Sequence, residues 1–113
     1  MSRTPRGRLA ACSLLALLVL ALSACAGTAF ADGAALYAEK TCVACHGKDA
    51  KTPLMPDYPK IAGQNAKYIV KQMADIKSGA RANGNSAAMK GVMVLVSDDD
   101  IKQLADYLSK LKP

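Results

Sequence analysis

The chain has 113 residues, of which 51% are hydrophobic and 21% are charged, and its formal net charge is +6. Three of its fifteen Lys and Arg lie within the first eight residues, which leaves twelve against nine Asp and Glu, or +3, in the remainder. This weak positive charge argues against nucleic-acid binding, for which a strongly basic face is expected. The length allows one small domain.

The N-terminal part of the chain is typical of a secretory signal peptide. Three arginines precede an unbroken apolar run over residues 14–22, and small residues follow that run. The run is much shorter than the roughly 20 residues that a membrane-spanning helix needs. We therefore predict a signal peptide over residues 1–31, one domain over residues 32–113 and export to the periplasm.

Two positions compete for the new N-terminus. Ala29-Phe30-Ala31 fits the rule that small residues flank a cleavage site, which favours a protein beginning at Asp32. Leu22-Ser23-Ala24-Cys25 also resembles a lipoprotein box, in which Cys25 would carry a lipid. We expect cleavage after Ala31 and attachment to the membrane only if Cys25 is lipidated.

The motif Cys42-Val43-Ala44-Cys45-His46 predicts covalent attachment of a c-type haem. One helical turn would place Cys42, Cys45 and His46 on the same face, so that both sulfurs bond the haem and the imidazole binds its iron. A thioredoxin-like dithiol would be expected beside a βαβ pattern, which is absent. A zinc site would need a fourth ligand, and residues 32–113 contain no further Cys or His.

Three helices are predicted and no strand pattern is visible, so we expect an all-α fold. The first begins near Asp32, a suitable N-cap, and runs to the haem cysteines. The second covers residues 65–78, and Gly79 offers its C-terminal stop. The third follows Ser97 and has three aspartates in its first turn, where the helix dipole favours negative charge. Its apolar stripe consists of Ile101, Leu104, Ala105, Leu108 and Leu111.

Two long loops are predicted between these helices. The first, residues 47–64, contains three prolines, which exclude a helix interior. The second, residues 80–96, contains the turn-prone Asn83-Gly84-Asn85. Loops of this length are unusual in a small domain unless they have a function, and covering the two faces of a haem is such a function.

The chain resembles the class I c-type cytochromes in three blocks of sequence. These blocks are residues 42–47, residues 58–64 with residues 68, 72 and 77–79, and residues 89–92 with residues 97–107. The resemblance covers residues 33–111 and is strongest to one half of the two-haem bacterial cytochromes of the c-four type and to their one-haem relatives. Because the chain has a single CxxCH, one haem c per chain is implied.

The resemblance implies a small class I cytochrome c fold, with three main helices and two long loops wrapped around one haem. It also implies that the carbonyl of Pro59 accepts a hydrogen bond from the imidazole of His46. Such a bond would fix the ring and raise its basicity, which changes how it binds the iron.

Methionine is the expected sixth ligand of the iron. His46 is the only histidine, so two histidine ligands from one molecule are excluded. Met73 lies on the apolar stripe of a predicted helix, and Met55 lies in the proline-rich loop near the proximal side, which leaves Met89 and Met93. The family pattern selects Met89, in the sequence Met-Lys-Gly-Val, with Met93 as the alternative.

The function implied is electron transfer without substrate chemistry, so we expect a monomeric carrier rather than an enzyme. Its partners would be a redox donor and a redox acceptor that dock transiently at the haem edge. One alternative is a haem-bearing subunit of a periplasmic dehydrogenase complex. Another is a haem enzyme or gas sensor with an open sixth position, although the chain has no second histidine for acid–base work.

Overall fold

The computed structural model describes residues 25–113, and within that range the chain forms five helices and no strand. They are α1 (Cys25–Glu39), α2 (Cys42–His46), α3 (Ala66–Ser78), α4 (Ser86–Met93) and α5 (Asp98–Lys110). The all-α prediction is confirmed. None of the helices in this part of the chain has the length and apolarity needed to cross a bilayer. Residues 1–24 of the predicted signal peptide lie outside the described residues.

Helix α3 ends at Gly79 and helix α5 begins after Ser97, as their capping residues predict. The Asn65 side chain accepts a hydrogen bond from the Tyr68 N–H at the start of α3, and Gly79 ends that helix with φ 88°. At the start of α5 the Ser97 side chain accepts from the Asp100 N–H, while the Asp100 carboxylate accepts from the Ser97 N–H. Each cap satisfies backbone groups that have no partner inside the helix, which sharpens both boundaries.

The first helix differs from the prediction at both ends. It begins at Cys25, so Asp32 lies inside it and is not its N-cap. Phe30, upstream of Asp32, contacts Tyr107 of α5 with its ring centroid 5.1 Å away, which holds this turn against the core. At the other end the helix stops at Glu39 instead of continuing to the haem cysteines, because Thr41 adopts the left-handed conformation with φ 62°.

Helices α1 and α5 cross in close contact. A Cβ atom at Gly33 would collide with the Cβ of Tyr107 and would lie 2.9 Å from the Gln103 carbonyl oxygen. The absence of a side chain at Gly33 therefore allows the two backbones to approach. Helix α3 packs on α5 from another side, and the core between them is formed mainly by Ile69, Met73, Ile76, Ile101, Leu104 and Leu108.

Two connections link the main helices. The first connection, residues 47–65, is irregular, as predicted from its prolines. The second connection, residues 79–97, contains α4, although residues 80–96 were predicted to be a loop throughout. Met93 at the end of α4 is 1% exposed and Ser86 at its start is 7% exposed, so packing onto the core stabilises a helix too short to be evident from periodicity.

Candidate functional site

A cavity of about 490 Å³ lies between α2, α3, α4 and α5 and is bordered by both connections. Its volume falls in the range of about 300–1,000 Å³ that is usual for ligand sites. Most of its wall is formed by apolar side chains, among them Ile69, Met73, Ile76, Val92, Leu104 and Leu108. The cavity therefore suits a large and mainly apolar ligand.

Helix α2 contributes Cys42, Cys45 and His46 to the wall of this cavity. The left-handed Thr41 separates α2 from α1, and Gly47, with φ 83°, ends α2 after a single turn. The spacing of three and four residues places the two thiols and the imidazole side by side on that turn, as predicted.

The imidazole of His46 is held in one orientation by the first connection. Its Nδ1 lies 2.9 Å from the carbonyl oxygen of Pro59, and the residue is 8% exposed. Because a carbonyl oxygen can only accept, Nδ1 carries the proton and donates it. The lone pair of the neutral ring is then on Nε2, which is the atom left to bind a metal.

The two thiols of α2 are half-buried and are not joined by a disulfide. Burial raises the pKa of the Cys42 thiol to about 11, and the proximity of Cys45 acts in the same direction. A redox-active dithiol has the opposite property, since its attacking thiol has a lowered pKa. The raised pKa of Cys42 is therefore not that of the attacking thiol of a redox-active dithiol.

Three of the four methionines in residues 32–113 line the cavity. Met89 and Met93 lie one turn apart on α4, and Met73 faces them from α3. Met93 is 1% exposed and Met73 is 7% exposed, so both belong to the core, whereas Met89 is only partly buried. Met55 is 47% exposed and does not line the cavity.

Sequence reasoning assigned no role to Arg81 and Gln72 as a pair. Both line the cavity, and Arg81 Nη1 donates to Gln72 Oε1 at 2.9 Å. Nine residues separate them in sequence, which is not a spacing that places two residues on the same face of one helix. Composition could have drawn attention to Arg81, because it is the only arginine after residue 8.

The donor set and the cavity together fit a covalently attached haem. Two thiols, one imidazole whose Nε2 is not used by the bond to Pro59, and thioether sulfurs all line an apolar cavity within the described residues. An imidazole and a thioether are ligands that haem iron takes in c-type cytochromes. The apolar wall provides a surface for the macrocycle.

Comparison with known proteins gives the same assignment. The cytochrome c family model matches residues 30–112. The chain is 36% identical over 101 residues to a cytochrome c-553 of Nitratidesulfovibrio vulgaris, with 83% of this chain and 97% of that protein covered. It is 40% identical over 96 residues to cytochrome c4 of Pseudomonas aeruginosa, with 85% of this chain covered but only 46% of the relative, so it spans about half of that protein.

The fold is also similar to a solved structure. The crystal structure of reduced recombinant cytochrome c4 from Pseudomonas stutzeri matches with a TM-score of 0.66 and 29% identity, over 75% of this chain and 49% of that one. The predicted class I cytochrome c fold and the predicted resemblance are thereby confirmed. The chain belongs to the cytochrome c family, which implies a covalently bound haem c and haem-based electron transfer.

Proposed function

We propose that this protein is a periplasmic electron carrier that holds one haem c, with His46 and Met89 as the axial ligands of the iron. The observation that carries this proposal is the cluster of Cys42, Cys45 and His46 on one wall of the cavity, with Pro59 holding the imidazole. When bound, the haem supplies a one-electron ferrous–ferric couple.

The roles of the residues follow from their chemistry. The sulfurs of Cys42 and Cys45 would anchor the haem covalently at a fixed position relative to α2. His46 would bind the iron through Nε2, and its bond to the Pro59 carbonyl would increase the basicity of the ring. The apolar wall excludes water, which favours the less charged ferrous state and raises the reduction potential.

Met89 is the proposed sixth ligand because of its place on α4. A thioether is soft and neutral, and His/Met ligation raises the reduction potential of a haem. Met89 lines the cavity while it is only partly buried by protein, whereas Met93 is already enclosed in the core. With both axial positions filled by protein ligands and no second histidine in the chain, substrate activation at the iron is disfavoured.

Mass spectrometry of the protein from its native host tests the haem and the N-terminus together. We expect a polypeptide beginning at Asp32 plus the mass of one haem, which acid-acetone should fail to extract. A haem that is extracted freely would contradict covalent attachment. A lipid on Cys25, with the protein in the membrane fraction, would instead show an anchored cytochrome.

Two substitutions test the sixth ligand. Met89→Ala should abolish the near-infrared band that arises from sulfur-to-iron charge transfer, lower the reduction potential and allow the reduced protein to bind carbon monoxide. Met93→Ala is the matched control, since it removes a thioether from the same helix and should retain the band. The reverse pattern would assign the iron to Met93, and rapid carbon monoxide binding by the unmodified protein would favour an open-site enzyme or sensor.

Purification from the native host separates a free carrier from a subunit. A carrier that docks weakly should elute alone at the mass of a monomer, because transient redox encounters bury less than about 1,200 Å². Stoichiometric elution with a dehydrogenase would instead assign the chain to a complex. The chemistry of the haem site would be the same in either case.

A further inference from the structure

The chain that follows α5 lies against the end of the first connection. The Gly63 N–H donates to the Leu108 carbonyl, in the last turn of α5, at 2.8 Å. A Cβ atom at Gly63 would lie 2.7 Å from Cγ and 2.9 Å from Cδ of Pro113, and 3.0 Å from the Leu111 carbonyl oxygen. Pro113 therefore packs directly on the backbone of Gly63, and a residue with a Cβ atom fits there only if one of the two moves.

Gly63 also has a backbone conformation that favours glycine. Its φ is 72°, which lies in the left-handed region that residues with a Cβ atom rarely adopt. A second contact lies nearer the start of the first connection, where Lys51 Nζ donates to the Lys112 carbonyl at 3.4 Å. Residues 111–113 therefore contact the first connection at two places.

Gly63 belongs to the same short segment as Pro59, whose carbonyl oxygen lies 2.9 Å from His46 Nδ1. Between them, the N–H groups of residues 61 and 62 both donate to the Ala50 carbonyl, at 2.8 and 3.0 Å. Ala50 is fully buried, so these two bonds form a fixed point in the middle of the segment. A displacement of Gly63 would turn the segment about this point and move the Pro59 carbonyl.

The bond to Pro59 is the one hydrogen bond that the His46 side chain makes within the described residues. Gly63 and Pro113 are both exposed, so their contact buries little apolar surface and should matter for geometry more than for stability. We propose, on the basis of the function inferred above, that Gly63 and Pro113 are positioning residues for the proximal ligand. Their contact sets how closely the Pro59 carbonyl approaches the imidazole, and through that distance it tunes the reduction potential.

The direction of the effect follows from the bond that Nδ1 donates. A close carbonyl oxygen makes the imidazole a stronger electron donor, which favours the ferric state because that state carries one more positive charge. If the carbonyl moves away, the ferric state loses this stabilisation and the reduction potential rises. The Nδ1 proton should then also exchange with solvent faster, because exchange requires the hydrogen bond to open.

The first experiment adds a methyl group between the two packed surfaces. We expect Gly63→Ala, studied as the holoprotein, to shift the ferrous–ferric equilibrium about threefold toward the ferrous form, or about 28 mV for one electron. In the ferrous protein, nuclear magnetic resonance should show several-fold faster exchange of the His46 Nδ1 proton. A role limited to stability would lower the free energy of unfolding without changing either measurement.

Gly79→Ala is the matched control for backbone strain. Gly79 also has a positive φ, 88°, but the atoms that its Cβ would meet are Nζ and Cε of Lys90, the end of a flexible side chain. Gly79 lies in the second connection and does not line the cavity. Its substitution should lower the free energy of unfolding while the His46 Nδ1 proton exchanges as in the unmodified protein.

A second substitution tests the contact itself. Pro113→Ala removes Cγ and Cδ, the two atoms nearest to the methyl group that Gly63→Ala adds. The double variant should therefore recover most of the potential and of the exchange rate. Pro113→Ala alone should cause a smaller shift in the same direction as Gly63→Ala, because the segment loses one of its supports. Together the four proteins form a double-mutant cycle.

The proposal is overturned if Gly63→Ala has the potential and the exchange rate of the unmodified protein, or if the double variant keeps the full change. It is also overturned if Gly79→Ala speeds the exchange as much as Gly63→Ala. If Gly63→Ala yields no holoprotein, Pro113→Ala decides, and an unchanged exchange rate contradicts the proposal. Retention of the covalent haem and of the near-infrared band in these variants leaves the proposed function intact, whereas their absence from the unmodified protein refutes that function itself.

Discussion

The two connections that border the cavity are stabilised by different forces. The first connection is irregular, and directed hydrogen bonds hold it: Tyr37 Oη donates to the Gly47 carbonyl at 2.8 Å, and two backbone N–H groups donate to the buried Ala50 carbonyl. The second connection contains α4, and buried apolar side chains hold it, with Met93 1% and Val96 2% exposed.

This difference has a consequence for each side of the proposed haem. Hydrogen bonds are directional, so the first connection can fix the angle of the His46 ring through the Pro59 carbonyl. Apolar packing is not directional, and it depends on volume. The proximal side should therefore respond to the loss of single polar groups, and the distal side to changes in the volume of buried side chains.

The largest effect is expected from a change of volume in the second connection. Met93→Ala removes a fully buried side chain and should lower the free energy of unfolding by about 2–5 kcal/mol. Denaturant unfolding of the holoprotein, followed by circular dichroism, measures this loss. Met93→Leu preserves most of the volume and should cost less than about 1.5 kcal/mol. If both variants lose the same free energy of unfolding, the volume of the buried side chain at position 93 does not stabilise the second connection.

The contrast also explains which parts of the fold can be predicted from sequence. The start of helix α5 was predicted correctly because its N-cap, its acidic first turn and its apolar stripe all indicate the same segment. Helix α4 was missed because its eight residues follow Asn83-Gly84-Asn85 and depend on tertiary packing. The end of α1 was missed because Thr41, which adopts the left-handed conformation there, is not a residue type that signals it.

The candidate site shows the same limit. The positions of Cys42, Cys45 and His46 follow from a local motif, since one helical turn suffices to bring them together. The pairing of Arg81 with Gln72 depends on the reversal of the chain at Gly79, which sequence spacing does not reveal. Contacts within one helical turn can therefore be predicted from the sequence. Contacts between residues on either side of a chain reversal become visible only in the structure.

A smaller effect is expected when the first connection loses one hydrogen bond. Burial raises the pKa of Tyr37 above its usual range, so its hydroxyl remains a donor at neutral and mildly alkaline pH. Tyr37→Phe keeps the ring, which is 2% exposed, but removes the bond to Gly47. We expect a loss of about 1 kcal/mol in the free energy of unfolding, because the Gly47 carbonyl still accepts from the Ala50 N–H at 3.3 Å.

Tyr68→Phe is the matched control for this hydroxyl deletion. Tyr68 lines the cavity but is 52% exposed, and its hydroxyl makes no hydrogen bond to another group of the described residues. Its removal should therefore change the free energy of unfolding by no more than about 0.5 kcal/mol. Urea unfolding of both variants at the same pH compares them. A Tyr37→Phe protein as stable as Tyr68→Phe would mean that the bond to Gly47 does not hold the first connection.

The smallest effect concerns Asp49, which is exposed and organises the start of the first connection. Its carboxylate accepts from the Lys51 N–H at 3.0 Å, from the Thr52 N–H at 2.8 Å and from Thr52 Oγ1 at 2.7 Å. These bonds, that from the Lys51 N–H first, lower the pKa of Asp49 to about 2. In the unfolded chain an aspartate has a pKa of about 3.9, so the unfolded chain binds the proton more readily than the folded protein.

The stabilisation by ionised Asp49 should consequently be complete above about pH 4 and should be lost as the pH falls toward 2. Asp49→Ala should be slightly less stable than the unmodified protein at pH 7, and the difference should shrink over that acid range. Asp49→Asn is the control, because it retains an acceptor oxygen for the backbone N–H groups but cannot ionise. Urea unfolding at steps from pH 7 to pH 2 measures the free energy of unfolding of each variant relative to the unmodified protein. Acid effects on the haem ligands are common to all the proteins and cancel in that difference. If the unmodified protein and Asp49→Ala differ in free energy of unfolding by the same amount from pH 7 to pH 2, ionisation of Asp49 does not stabilise the first connection.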